Sequence, residues 1–289
     1  MSRYIKNKEV RLVKLVKKAS VRTIMYFFLI FTVVVSVFPI LWVIMSSFKT
    51  NGEIMSGPFV LPSQINFDAY RYLFENYDFL TYTLNSIYVS FVPTILALAV
   101  YTAGAYVIAK YKFPGKILFY ALFTMTLLVP AHSRTQPIFS LIIDLDLYNT
   151  REGLALVYLS TGMAMSMFIL KAAFQAIPDE LSEAATIDGA SFVQVFTRIN
   201  MPLAKNGLVS AGVLMLLANW NEFYYANLLV TSSQNRTLPV VTILFNSMFS
   251  YNYTNTFAAL TVVVLPGILF YALAQKQVQN SIAASGIKG

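Results

Sequence analysis

The sequence predicts an all-α integral membrane protein. It has six transmembrane helices, both termini cytoplasmic, and a short cytoplasmic helix-turn-helix between spans four and five. Three observations carry that prediction. First, 57% of the 289 residues are apolar and only 12% are charged, against about 45–50% and about 25% for an average soluble domain. Mean hydropathy, +0.63, has the same sense. Second, long stretches without charge recur along the chain. Third, Lys and Arg gather at alternate ends of those stretches.

A helix crossing roughly 30 Å of hydrocarbon at about 1.5 Å per residue needs about 20 mainly apolar residues. No charge falls between Arg22 and Lys49, between Asp78 and Lys110, or between Lys116 and Arg134. The same holds from Glu152 to Lys171 and from Arg236 to Lys276, and only Glu222 interrupts Lys205 to Arg236. Trimmed of polar ends, these stretches predict spans at 22–46, 82–109, 116–131, 153–173, 207–230 and 257–275. The chain therefore divides into a basic segment 1–21, a transmembrane domain 22–275 and a tail 276–289. Pro39, Pro93 and Pro266 fall inside spans and mark kinks, and Pro130 ends span three.

Charge orients the spans. Arg3, Lys6, Lys8, Arg11, Lys14, Lys17, Lys18 and Arg22 precede span one against Glu9 alone. The loop 47–80 is acidic on balance, and the loop 110–116 carries Lys110, Lys112 and Lys116 with no acid. Lys/Arg excess marks the cytoplasmic side, so both termini are placed inside. The first apolar run is longer than the roughly 7–15 residues of a signal-peptide core, and no small-residue cleavage site follows.

Several functions are excluded. With no cysteine there is no disulfide, thiolate metal site or Cys nucleophile, and one histidine, His132, makes no metal cage. No Ser-His-Asp grouping is visible, so neither catalytic nor metal-binding residues are expected. No G-x-x-x-x-G-K-[ST] pattern occurs, so this chain holds no ATP itself. The net charge of +8 flanks apolar segments and forms no basic stripe for nucleic acid.

The loop 171–206 is long, and it is not basic. Pro178 suits a helix start, with Asp179 and Glu180 complementing the positive end of its dipole. Asp188-Gly189 predicts the turn that stops this helix. Ser191 and Gln194 form a capping box for a second helix, and Phe192, Val195, Phe196 and Ile199 give it one apolar face before Pro202 ends it.

That segment reads Glu183-Ala184-Ala185-Thr186-Ile187-Asp188-Gly189-Ala190-Ser191, followed by Ile199-Asn200-Met201-Pro202. It resembles the E-A-A–G–I-x-L-P signature of permease subunits of binding-protein-dependent ABC importers, with Met201 in place of Leu. Asn85-Ser86, Ala105-Tyr106, Trp220-Asn221-Glu222-Phe223 and the tail Gly286-Ile287-Lys288-Gly289 are similar to the carbohydrate, maltose-transporter-like branch. The resemblance runs from about residue 22 to the C-terminus, and it implies the type I importer permease fold. It implies a bacterial cytoplasmic-membrane complex of two permeases, two ATPase subunits that bind ATP and Mg²⁺, and an extracytoplasmic solute-binding protein. The cargo it implies is a sugar or oligosaccharide. The segment 178–202 would then dock on an ATPase through Glu183, Ala184, Ala185, Asp188, Gly189 and Pro202, and Gly286 and Lys288 would reach the ATPases from the tail.

Away from the ends of the spans, Glu222 is the only acid or base, which marks it for function by default. With Asn219 and Asn221 it lines the translocation path or makes a structural bond between helices. Asn85 and Ser86 carry the same two readings. Trp42, Tyr101, Tyr106, Trp220 and Tyr271 read as belt or packing residues, and His132 as a loop residue. Rival functions are an importer for a glycerol phosphate ester and a secondary transporter. The first would favour cations along the path, and the second more spans and more intramembrane charges.

Overall fold

A computed structural model describes residues 2–245 and 252–286. Among the described residues every regular element is helical. In order these are α1 (Ser2–Ser46), α2 (Asn51–Ser56), α3 (Asp68–Asn76), α4 (Phe79–Lys110), α5 (Lys116–Met125), α6 (Thr135–Asp144), α7 (Arg151–Ser160) and α8 (Met163–Gln175). There follow α9 (Asp179–Ile187), α10 (Phe192–Leu203), α11 (Lys205–Trp220), α12 (Tyr224–Leu229), α13 (Leu238–Val241) and α14 (Tyr253–Gly286). Three stretches are long and apolar enough to cross a membrane alone: Ala19–Ser46, Phe79–Lys110 and Tyr253–Leu273. Two bent pairs, α7–α8 at 48° and α10–α11 at 76°, would bring the number to at most five if each were one span. The chain is an all-helical membrane protein.

The chain forms two compact units. The first comprises residues 1–71 and 252–261. From residue 19 to Leu41 the side chains of α1 are exposed, as expected of an apolar helix facing hydrocarbon or another chain. At its C-terminal end, Phe48 packs on Phe67 and Tyr70, and the Ser47 hydroxyl lies 2.7 Å from that of Tyr70. Thr50 starts α2 through a capping box with Glu53, whose second oxygen accepts from the Ser63 backbone N–H at 2.9 Å. Trp42 meets Phe257 edge to face.

The second unit, residues 72–251 and 262–289, holds the main core. Its centre is α4, with Val89, Ala97, Ala105 and Tyr106 buried. Against that helix pack Leu154 and Tyr158 of α7, Met167, Leu170 and Phe174 of α8, and Ala211 and Met215 of α11. Helices α8 and α11 approach closely where Gly207 faces Ala173, since a Cβ at Gly207 would stand 2.4 Å from that alanine's Cβ. Small residues permit such contact between apolar helices.

The predicted spans one, two and six are continuous helices, but the other three are interrupted. Helix α5 stops at Met125, and after a 3-10 turn at Ala131–Arg134 the chain runs on as α6. Pro130 caps that turn rather than ending the apolar helix. Span four breaks at Thr161-Gly162, where Gly162 adopts a left-handed φ of +73° and Met215 packs against it. Span five breaks at residues 221–223.

Candidate functional site

Two places collect the residues singled out from the sequence. The first is the helix-turn-helix of α9 and α10. Helix α9 begins after Pro178, with Asp179 and Glu180 in its first turn. It ends in a Schellman motif, in which the Ala190 N–H donates to the Ala185 carbonyl at 2.9 Å and the Gly189 N–H to that of Thr186 at 3.0 Å. This closure needs the left-handed φ of +87° that Gly189 adopts. Ser191 and Gln194 then form the expected capping box. Pro202 lies in the last turn of α10, which runs one residue further than predicted before turning sharply at Ala204.

Two contacts hold this motif on the rest of the second unit, and a third braces it internally. Lys110, the last residue of α4, is nearly buried and donates to the Ile177 carbonyl and, at 2.6 Å, to Asp179 Oδ1. Its ammonium, by hydrogen bond first and charge second, holds the Asp179 carboxyl below the usual range. Tyr106 is fully buried among Tyr111, Phe174, Phe192 and Phe196, with ring centroids 4.8–5.7 Å apart. Asn200, also buried, donates to the Ser182 hydroxyl at 3.0 Å, tying α10 to α9.

With its ends fastened, α9 turns its remaining surface outward. Glu183, Ala184, Asp188, Gly189 and Pro202 are exposed and Ala185 is half-buried. Ile187 is 87% exposed, an apolar side chain presented at the tip of the motif. Beside it a cleft of about 460 Å³ is lined by Tyr106, Lys110, Asp179, Glu183, Thr186 and Ile187. A rigid, acidic knob with an uncovered apolar tip is suited to insertion into a basic cleft of another protein.

The second place is the break in span five. Glu222 is half-buried, and its carboxylate accepts from the Tyr158 hydroxyl at 2.6 Å and from the Tyr225 and Ala226 N–H groups at 2.9 and 3.0 Å. Those two amides belong to the first turn of α12, so the charge faces the positive end of a helix dipole. Asn219 is buried and bridges helices, donating to Thr94 Oγ1 at 3.1 Å and accepting from Thr161 at 2.8 Å. Asn221 is exposed, its amide nitrogen bonded to the Leu217 carbonyl in its own helix. On the exposed side of the break the His132 ring meets Tyr224 edge to face at 4.5 Å.

Asn85 and Ser86 lie elsewhere. Asn85 donates to the Gln234 and Arg236 carbonyls and accepts from Arg151, and the Ser86 hydroxyl accepts from the Leu238 N–H. Both are fully buried, and they fasten the segment leading into α13 onto α4. Of the two residues named in the tail, Gly286 is the last helical residue of α14, and Lys288 lies outside the described residues. The sequence reading missed Lys110, Asp179, Asn200 and Tyr158 as supporting residues. Asn200 stood within the signature, and Lys110 ended an apolar run, but neither position shows its partner.

A helical membrane core carrying an exposed E-A-A helix-turn-helix defines an importer permease. Residues 101–283 match the family of binding-protein-dependent transport system inner membrane components, and the chain belongs to that family. It is 32% identical over 252 residues to the diacetylchitobiose uptake system permease protein NgcG of Streptomyces coelicolor, covering 86% of this chain and 83% of that protein. It is 30% identical over 253 residues to the trehalose transport system permease protein SugB of Mycobacterium tuberculosis, covering 87% and 92%. The fold matches a chain in the crystal structure of a bacterial ABC transporter involved in the import of the acidic polysaccharide alginate. There the TM-score is 0.76 at 23% identity, over 88% of this chain and 94% of that one. The protein is a non-catalytic permease component of an inner-membrane, binding-protein-dependent ABC importer.

Proposed function

We propose that this chain is one of two permease subunits enclosing the path of a sugar or oligosaccharide. A solute-binding protein delivers the cargo, and two separate ATPase subunits, which bind ATP and Mg²⁺, supply the energy. In this reading the chain crosses the membrane six times, the interrupted pairs each serving as one span, with both termini cytoplasmic. The α9–α10 motif then faces the cytoplasm and docks on an ATPase through Glu183, Ala184, Ala185, Asp188, Gly189 and Pro202. Gly286 and Lys288 contact the ATPase pair from the tail. Closure of the ATPases on ATP moves this knob, Asn200 keeps α9 and α10 together, and Lys110 and Tyr106 pass the movement to α4 and α8.

The observation that carries the proposal is the construction of α9. Its backbone is closed at the C-terminal end by the Gly189 turn, its N-terminal end is clamped by the nearly buried Lys110, and its acidic and apolar tip is left open. The named sugar permeases among its relatives support the cargo class. Glu222 and Asn221, the partly open polar groups of the span-five break, are the path residues in this reading, because amides and carboxylates accept sugar hydroxyls well. Asn85, Ser86 and Asn219 support the path from behind.

The test is reconstitution of the complete complex with its binding protein in vesicles. ATP-dependent accumulation of a labelled di- or oligosaccharide from a panel is expected. Uptake of glycerol phosphate with no saccharide accumulated would overturn the cargo class.

A further inference from the structure

The segment joining α2 to α3 does not project away from the end of α1; it folds back along it. The Trp42 indole N–H donates to the Pro58 carbonyl at 2.6 Å, and the Phe59 ring lies 6.2 Å from that of Phe38. Trp42 and Phe38 precede the last residue of α1, Ser46, by four and eight positions. The tip of the loop therefore lies roughly 6–12 Å below the end of that helix. The base is closed separately, by Glu53 holding Ser63 and by the Asn66 N–H donating to the Phe48 carbonyl at 3.0 Å.

We infer that residues 58–61 dip into the leaflet at the C-terminal end of α1 and face its acyl chains. The composition fits that solvent: no charge occurs between Glu53 and Asp68. Phe59 and Leu61 are 73% and 71% exposed, continuous with the exposed apolar surface of α1. Backbone polar groups at this depth must be satisfied internally. Pro58 and Pro62 have no N–H to satisfy, and the Pro58 carbonyl also receives Lys49 Nζ at 3.4 Å, a lysine otherwise buried. The Val60 N–H closes a turn to the Gly57 carbonyl. Trp42 supplies the amphipathic ring that favours the membrane interface. A second permease could cover the same surface, and the experiment separates the two occupants.

The chain has no cysteine, so Leu61→Cys carries its only thiol. A nitroxide there, in the assembled complex reconstituted in phosphatidylcholine vesicles, reports collision with oxygen, which concentrates in lipid, and with a water-soluble nickel chelate. The ratio of oxygen to nickel accessibility at Leu61→Cys is expected to exceed severalfold that at exposed Gln64→Cys; Val60→Cys repeats the test where Leu61→Cys assembles poorly. A nickel-dominated ratio would overturn the inference in favour of water. Low collision with both would overturn it in favour of a protein partner. The inference places this leaflet outside only through the topology proposed above. That point is tested by an impermeant thiol reagent on whole cells, which labels Gln64→Cys only if the loop is external. Failure there sinks the topology and leaves the lipid contact standing.

Discussion

The α9–α10 motif and the break in span five are built on opposite plans. In α9–α10 the backbone is satisfied locally, by Gly189 in the left-handed region and by the Ser191–Gln194 box, and the outward side chains are exposed among the described residues. At the break, Glu222 and Asn219 spend their polar atoms on Tyr158, Thr161, Thr94 and two amides of α12. An interaction surface keeps its side chains free, whereas a polar group within an apolar bundle must find partners from other helices. The difference teaches where substitution should act: on docking at the first region, and on the shape of the bundle at the second.

The largest effect is expected at the proposed docking surface. Gly189→Pro forces φ near −65° where the turn needs +87°, and Glu183→Lys reverses an exposed charge. Both should leave the protein in the membrane, with uptake reduced at least about tenfold, the equivalent of about 1.4 kcal/mol of lost docking. Co-purification of the ATPase subunits measures this directly. Wild-type recovery and wild-type uptake from both variants would break the comparison at its stronger end.

Glu222 comes next. Glu222→Leu strips the acceptor from two backbone N–H groups and leaves the Tyr158 hydroxyl only the residue-222 backbone carbonyl at 3.3 Å, at about 1–3 kcal/mol for each buried group left unpaired. Glu222→Gln keeps one carbonyl oxygen and should retain most uptake. The Leu variant is expected to assemble, to unfold at a lower temperature than the Gln variant and to transport far less. If Leu transported at the wild-type rate with unchanged thermal stability, the break would be neither path nor support.

A smaller loss is expected from Lys110→Met, which frees the N-terminal end of α9 without touching its outward surface. ATPase subunits should still co-purify, while uptake per ATP hydrolysed falls; Lys110→Arg should restore part of it. Equal loss of ATPase binding would place Lys110 in the docking surface itself.

The smallest effect concerns pH. Hydrogen bonds from Ser63 first and Thr50 next hold the Glu53 carboxyl at about 2, below its ordinary 4.5. A depressed folded-state value means that its contribution to stability is complete above pH 4.5 and is lost as pH falls through about 2. Glu53→Gln should therefore flatten the acid limb of a stability curve, its loss of stability being full at pH 7 and vanishing toward pH 2.

Legibility differed between the two regions for a physical reason. The α9–α10 motif was readable almost residue by residue, because caps, a glycine turn and an apolar stripe are signals between neighbours in the chain. Only the end of α10 moved, by one residue past Pro202. The interruptions in spans three, four and five were less visible, since hydropathy averages over a window and does not register one turn of non-helical backbone. Thr161-Gly162 was the available signal in span four, yet Gly is also tolerated within continuous membrane helices.

By itself, the sequence determined that the chain is a helical membrane protein, where its longest spans run, and that an E-A-A helix-turn-helix is present. Each of these follows from the spacing of charges, apolar residues and capping residues along one strand of chain. Only the tertiary structure decided that Lys110 clamps Asp179 across 69 residues, that Asn85 and Ser86 fasten a distant segment, and that Tyr158 holds Glu222. Those pairings join residues whose neighbours in sequence say nothing of their neighbours in space. In an apolar bundle the partners open to a buried polar side chain are those that helix packing brings near, and packing is a property of the whole fold.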